Sequence, residues 1–104
     1  MRHYRARMRR YGVPLGSAAT HTKLDWLVWA GCLTGEATDR DAILAGIDAW
    51  LDDAPDRVPL PDWFDAETGR LARGHGFRAR PVVGGVFLPM MLDPDLLKKW
   101  STRP

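Results

Sequence analysis

Apolar and polar positions along the chain mark out five helical stretches and one long break. Tyr4, Met8 and Tyr11 are spaced like one helical stripe, so Met1–Arg10 reads as a short helical arm. Gly12 and Pro14 interrupt it and predict an irregular loop over residues 12–21. A helix is then expected from Thr22 to about Leu33, with Gly35 just beyond its end. Thr22 and Asp25 have the spacing of a capping pair. Its apolar residues fall on two faces, Leu24, Leu27, Val28 and Cys32 on one and Trp26, Trp29 and Leu33 on the other. That predicts a helix buried on all sides. The next helix is expected from Thr38, paired with Asp41 as a cap, to about Asp53. It carries a single stripe of Ile43, Leu44, Ile47, Trp50 and Leu51, so one side faces water.

Residues 54–79 are rich in Pro and Gly and predict a long irregular loop, a kind of segment that often carries function. Pro81 is expected to open a third helix, apolar all round and therefore internal, with a kink at Pro89. Gly84 and Gly85 would let a neighbour approach it closely. Asp93 is expected to cap a short last helix that has Pro94 at its first position and lysines near its end. The alternation of buried and half-exposed helices is that of stacked helical hairpins with an inner and an outer ring. The expected fold is all-α.

Composition changes this picture in three ways. The chain has 104 residues, enough for one small domain, and five tryptophans, many for that length. Its net charge of +2 hides an asymmetry. Arg2, Arg5, Arg7, Arg9, Arg10 and Lys23 lie in the first 24 residues without an acid, which leaves the remainder at −4. A basic arm suits nucleic acid or an anionic membrane in some proteins. Here it has few aromatics for base stacking, so a solvated or partner-covered face is the better reading, and no nucleic-acid partner is expected. The lone Cys32 excludes an internal disulfide and reads as a buried, inert thiol. No secretory signal is recognisable, and the longest apolar run, Pro81–Leu92, is too short to span a bilayer.

No phosphate-binding glycine loop, paired-histidine helix or nucleophile elbow is present, so no cofactor is expected. His3, His21 and His75 lack ligand spacing, so no metal is expected either. Three segments are chemically dense: HTKLDW (21–26), RVPLPDWFD (57–65) and FRARPVVGG (77–85). Each sets charge beside apolar residues at an element boundary, where a cleft would sit. Asp25 and Asp62, each followed by a Trp, are the candidate catalytic pair, because two carboxylates in a cleft can divide acid and base roles. Arg80 and Lys23 are candidate grips for a substrate carboxylate, and Trp63 is the tryptophan expected to face a ligand. Simpler roles compete: Asp25 as a cap, Asp62 as a turn former, Arg80 as an ion-pair partner of a buried aspartate, and Trp26, Trp29 and Trp50 as core.

These segments resemble a known family. YGVPLGSAATHTKLDWLVWAG resembles the stretch that glutaminase A-like proteins carry as Y-G-[LV]-P-L-D-x-R-x-x-Y-T-K-x-D-W-x-x-W. RVPLPDWFDAETG resembles their R-x-P-x-x-D-W-Y-x-T-x-[TS]-G, and FRARPVVGG their A-R-x-V-V-G-G, in the same order. Tyr11, Gly12, Pro14, Leu15, Thr22, Lys23, Asp25, Trp26 and Trp29 match the first motif. Arg57, Pro59, Asp62, Trp63 and Gly69 match the second, and Arg80, Val83, Gly84 and Gly85 the third. Gly16 stands where the family has Asp, Ala18 where it has a basic residue, His21 where it has Tyr, and Ala66 where it has Thr.

The resemblance implies a ring of six helical hairpins, an (α/α)6 toroid several times longer than this chain. Residues 1–104 would be a C-terminal segment supplying about the last two hairpins: a basic arm and loop over 1–21, then helices over 22–100 with the loop 54–79. It implies hydrolysis of L-glutamine to glutamate and ammonia, often by secreted or surface proteins. The partners implied are a small-molecule substrate and the remaining hairpins of the domain, and the isolated segment is expected to be inactive. Two other classes stay open: a non-catalytic helical interaction module, and a glycan-processing hydrolase of the same ring type, the latter by fold analogy alone.

Overall fold

The computed structural model describes residues 2–16, 20–55, 58–71 and 77–102. It is mostly helical: α1 (Arg2–Arg7), α2 (Leu24–Leu33), α3 (Ala37–Asp53), a 3-10 segment (Pro81–Phe87), α4 (Leu88–Met91) and α5 (Pro94–Ser101). Two short strands, β1 (His21–Lys23) and β2 (Trp63–Asp65), pair antiparallel in the register His21↔Asp65, Thr22↔Phe64, Lys23↔Trp63.

α2 and α3 pack together as a helical hairpin, turned by Thr34–Glu36 with Gly35 in the left-handed conformation (φ 71°). Between the hairpin and the sheet lies the core. Trp50 of α3 stacks on Phe64 of β2 (ring centroids 4.0 Å apart, planes 9° apart), and its indole N–H donates to the Gly69 carbonyl (3.1 Å). Leu24, Leu27 and Val28 of α2, Ile43 and Ile47 of α3, and Tyr11 and Val13 of the loop complete it. Gly69 (φ 72°) has no room for a side chain: a Cβ would lie 3.2 Å from the Tyr11 ring and 3.3 Å from Trp50.

The mostly helical fold agrees with the expectation; the small sheet is an addition to it, and the reason is local. Thr22 was expected to cap a helix, but it sits in β1, fully buried opposite Phe64. The helix begins at Leu24 with Lys23 at the N-cap and no side-chain cap bond. Thr38 and Asp41 make no capping pair either: α3 starts at Ala37 after Glu36, again without a side-chain cap bond. Residues 54–79 include a strand rather than only loop.

Burial departs further. α2 is covered by the core and α3 on one side and by the 3-10 segment beside it, but not all round; Trp26 is 51% and Leu33 85% exposed, and Trp29 stands at 36%, whereas Trp50 is sealed. Of the three tryptophans expected in the core, Trp50 alone is there. Pro81 does open a helical segment, but as a 3-10 turn that becomes α-helical around Pro89, and no residue in it is buried. Cys32 is half-buried against the core rather than sealed. The final cap is as expected: Asp93 accepts from the amides of Asp95 and Leu96 (2.9 and 3.1 Å).

The basic arm is strapped down by acids from the rest of the chain. Arg5 pairs with Asp39, Arg9 with Glu67 and Arg10 with Asp53, while Arg7 donates to the Gly16 carbonyl. Among the described residues no helix is long and apolar enough to cross a membrane, and no cluster of His, Cys, Asp and Glu could hold a metal. His75 lies outside those residues.

Candidate functional site

Backbone bonds bring the dense segments to one place. The Leu24 amide donates to the Asp62 carbonyl (2.8 Å), tying the start of α2 to the start of β2. Asp62 in turn donates its amide to the Phe77 carbonyl (3.1 Å), and Ala79 donates to the Leu60 carbonyl (3.1 Å). These bonds return residues 77–80 alongside 60–62, with Pro61 and Arg78 bridged. Ala79 is left-handed (φ 52°), an unfavourable conformation for a side-chain-bearing residue, and it turns the chain so that Arg80 meets Asp62.

Four charges then converge. Asp62 is fully buried, and both of its carboxylate oxygens accept from Arg80, from Nε at 2.9 Å and from Nη2 at 2.5 Å. The bond to this carboxylate holds the Arg80 guanidinium above its ordinary pKa. Asp25, in the first turn of α2, is also buried. Lys23 Nζ stands between the two, 3.6 Å from Asp25 Oδ1 and 4.0 Å from Asp62 Oδ2. Two carboxylates and two cations balance in charge, which makes their burial tolerable. Asp25 Oδ1 is beyond hydrogen-bond reach of Lys23 and has no other hydrogen-bond partner. Gly85 lets the 3-10 segment close over this cluster: a Cβ there would come 2.9 Å from Trp29 Nε1 and 3.1 Å from Asp25 Cβ. The Gly84 position, by contrast, is open.

An aromatic row flanks the charges. His21 stacks on Trp63 (4.9 Å, 15°), Trp63 leans on Phe77 (5.7 Å), and the Arg80 guanidinium lies over the Phe77 ring (4.7 Å). On its other side Lys23 borders a cavity of about 510 Å³, walled by Trp63, Leu15, Trp26, Leu27 and Ala30 among others. Thus Asp25, Asp62, Lys23 and Arg80 lie together. Lys23 and Trp63 line the cavity, and the two aspartates and Arg80 do not.

Four features of the site escaped the sequence reading: the β1–β2 pairing, the His21–Trp63 stack, the Phe77–Arg80 contact and the strained Ala79. The strands are three residues each, too short to show a period, and the aromatic contacts join residues far apart in sequence. Arg57, part of the second motif, lies outside the described residues.

Residues 1–90 match the family described as the Glutaminase A six helical-hairpin domain. The chain belongs to that family. Over 83 residues it is 34% identical to Glutaminase A of Aspergillus oryzae, covering 80% of this chain and 12% of that protein. Over 84 residues it is 33% identical to a protein of Arthroderma benhamiae named "Probable glutaminase", covering 81% of this chain and 10% of that protein. The chain thus spans about a tenth of the length of these glutaminase relatives. No solved structure matches it. All four charged residues of the cluster fall within the part that matches the glutaminase A family, whereas α5 lies beyond it.

Proposed function

We propose that this chain is part of a glutaminase-type amidohydrolase and carries acid–base and substrate-gripping groups of its active site. The observation behind this reading is the placement of Asp25 and Asp62 on either side of Lys23, with Arg80 fixed alongside, all in segments shared with the family. The domain would be a closed ring of six hairpins toward which this segment contributes about the last two. The α2–α3 pair is one hairpin, and the 3-10, α4 and α5 elements lead into the closure.

Hydrolysis of a side-chain amide needs a base to take a proton from water as the water oxygen attacks the amide carbon. It also needs an acid to return that proton to the departing nitrogen. Both steps are assigned to Asp25, because one of its buried oxygens has no hydrogen-bond partner and lies 3.6 Å from Lys23, which borders the cavity. Asp62 has both oxygens bound by Arg80, so its part is to hold Arg80 and balance the site rather than to accept the proton. Lys23, whose N–H groups lie beyond hydrogen-bond distance of either aspartate, grips the substrate's own carboxylate.

The test is ammonia release from L-glutamine by the complete domain containing this segment. Asp25→Asn is expected to lower kcat/KM about a hundredfold or more, the usual worth of a general base. Asp62→Asn is expected to act mainly on KM, through a loosened Arg80. If Asp25→Asn folds normally and keeps near-full turnover, the acid–base assignment is wrong. A stoichiometric protein partner with no turnover of glutamine would instead favour the interaction-module reading, which the exposed Trp26, Leu33 and Phe87 also fit.

A further inference from the structure

Asp25, the residue that exchanges protons in the reading above, has no route to water in this conformation. Its Oδ1 has no accessible surface and no hydrogen-bond partner, and the residue does not line the cavity. A buried polar atom without a partner is rare in a folded protein and calls for an explanation. Two groups cover it. One is Lys23, whose Nζ stands 3.6 Å from Oδ1. The other is the 3-10 segment, whose Gly85 packs so closely that a Cβ there would lie 3.1 Å from Asp25 Cβ.

The two covers are held with unequal strength. Lys23 stands between two buried carboxylates, and moving it away would leave both facing Arg80 alone, a costly imbalance in a buried site. The 3-10 segment contains no fully buried residue, and its Val83 and Val86 are only partly buried against the core. Among the described residues, the hydrogen bond that ties its middle to α2 runs from the Trp29 indole N–H to the Gly85 carbonyl (3.1 Å), near the surface. A neutral bond of this kind adds little net stability. The start of the segment is fixed by Arg80 on Asp62, while Gly84 has nothing within 4 Å of where a side chain would begin, and so has room to turn.

We propose that the 3-10 segment is an opening cover over Asp25 and that Trp29 is its latch. With the indole bond made, Asp25 is sealed. With it broken, the turn at Gly85 lifts and water reaches the carboxylate, while Lys23 keeps its place. Trp29 is thus a positioning residue, which lines no part of the cavity and acts on Asp25 through Gly85. The inference rests on the amidohydrolase reading for the purpose of the opening; the cover itself does not depend on it.

The test is carboxyl labelling of the full chain in dilute solution with a water-soluble carbodiimide and glycinamide, read residue by residue by peptide mass spectrometry. In the unaltered chain Asp25 should label far more slowly than the exposed Asp48. Trp29→Phe keeps a ring at an exposed position and removes the N–H. It should speed labelling of Asp25 about fivefold, the worth of one neutral hydrogen bond. Asp62, sealed and held by Arg80, should stay unlabelled. Gly85→Ala, whose methyl group would meet Trp29 Nε1 at 2.9 Å, should also speed labelling of Asp25 by wedging the latch apart.

Asp25 labelling as fast as Asp48 in the unaltered chain would mean that there is no cover. A rate unchanged by either variant would overturn the latch, because something else then seals Asp25. A rise shared equally by Asp62 would overturn it too, as a loosening of the whole site. Ammonia release from L-glutamine by the complete domain is a separate readout. If the latch answers as expected and glutamine is not hydrolysed, the amidohydrolase reading fails and the cover stands. If glutamine is hydrolysed and neither variant changes the labelling of Asp25, the cover fails and the amidohydrolase reading stands.

Discussion

Asp62 shows how one side chain can organise a whole site. It is sealed from solvent, accepts two bonds from Arg80 and draws Lys23 to its edge, so its removal is costly. Asp62→Ala is expected to destabilise the chain by about 3 kcal/mol, at the low end for breaking a buried ion pair because Arg80 keeps some access to water. A urea-unfolding midpoint within error of the parent would contradict this.

Asp65 carries a pH dependence. Burial alone would raise its pKa, but bonds from the Thr20 hydroxyl and the Thr68 and Glu67 amides outweigh burial and hold it below its ordinary 3.8. Its stabilising effect is therefore complete above that value. It erodes as pH falls further, because the unfolded chain takes up the proton first, and it is gone once the folded carboxyl protonates too. The stability gap between the parent and Asp65→Ala should accordingly be widest near neutral pH and close in acid. A gap unchanged between pH 6 and pH 3 in urea melts would refute the assignment. Tyr11 has the opposite tendency: burial and its bond to Asp53 raise its pKa, so its contribution weakens only in strong alkali.

At the scale of elements, the caps separate what the sequence announces from what it conceals. Asp93 followed by Pro94 is a helix start that leaves little choice, and α5 begins there. Asp93→Ala should cost about 1 kcal/mol of local stability and be seen as faster amide exchange at Asp95 and Leu96. Unchanged exchange at both would show the cap to be idle. Thr22 and Thr38 offered the same spacing signal and became something else. Thr22 is pulled into β1 by pairing with Phe64, and Thr38 lies within the first turn of α3 and accepts from Arg5. A capping pattern is a local preference, and strand pairing across some forty residues overrides it once Phe64 can stack on Trp50. α2 and α3 were legible as helices ending at Leu33 and Asp53 because apolar residues recur through them, while their starts, read from capping pairs that do not form, were not. The strand in 54–79 was not, since three residues carry no period. The cluster of Asp25, Asp62, Lys23 and Arg80 was readable as a set of residue types at element ends. Which carboxylate Arg80 would take depended on the turn at Ala79, which no local pattern announces.

For the whole molecule, the decisive feature is uncovered apolar surface. Leu33, Phe87, Met91, Leu92 and Trp100 are each more than half exposed, beside Trp26. The radius of gyration is 14.4 Å, slightly above about 13 Å for a self-contained domain of this length, with extents of 42 × 33 × 22 Å. Surface of this kind drives association. The isolated chain is expected to sediment as dimers and larger species at micromolar concentration and to bind an apolar dye. A compact monomer that binds no dye would mean that the exposed face needs no cover. The sequence foretold two internal helices from their all-round apolarity. In the structure both stand partly open, at Trp26 and Leu33 of the first and at Phe87, Met91 and Leu92 of the second.

The division of the tryptophans has an optical consequence. Trp50 is sealed, Trp63 is partly covered, and Trp26, Trp29 and Trp100 meet water. Emission from the lone chain is therefore dominated by wet indoles, shifted to long wavelength and open to quenching by acrylamide, over a small protected component from Trp50. Trp29, tied to the Gly85 carbonyl, stays where it is, but anything that settles on the open side of α2 would carry Trp26 from the first population to the second, so the chain holds its own spectroscopic gauge of what covers it.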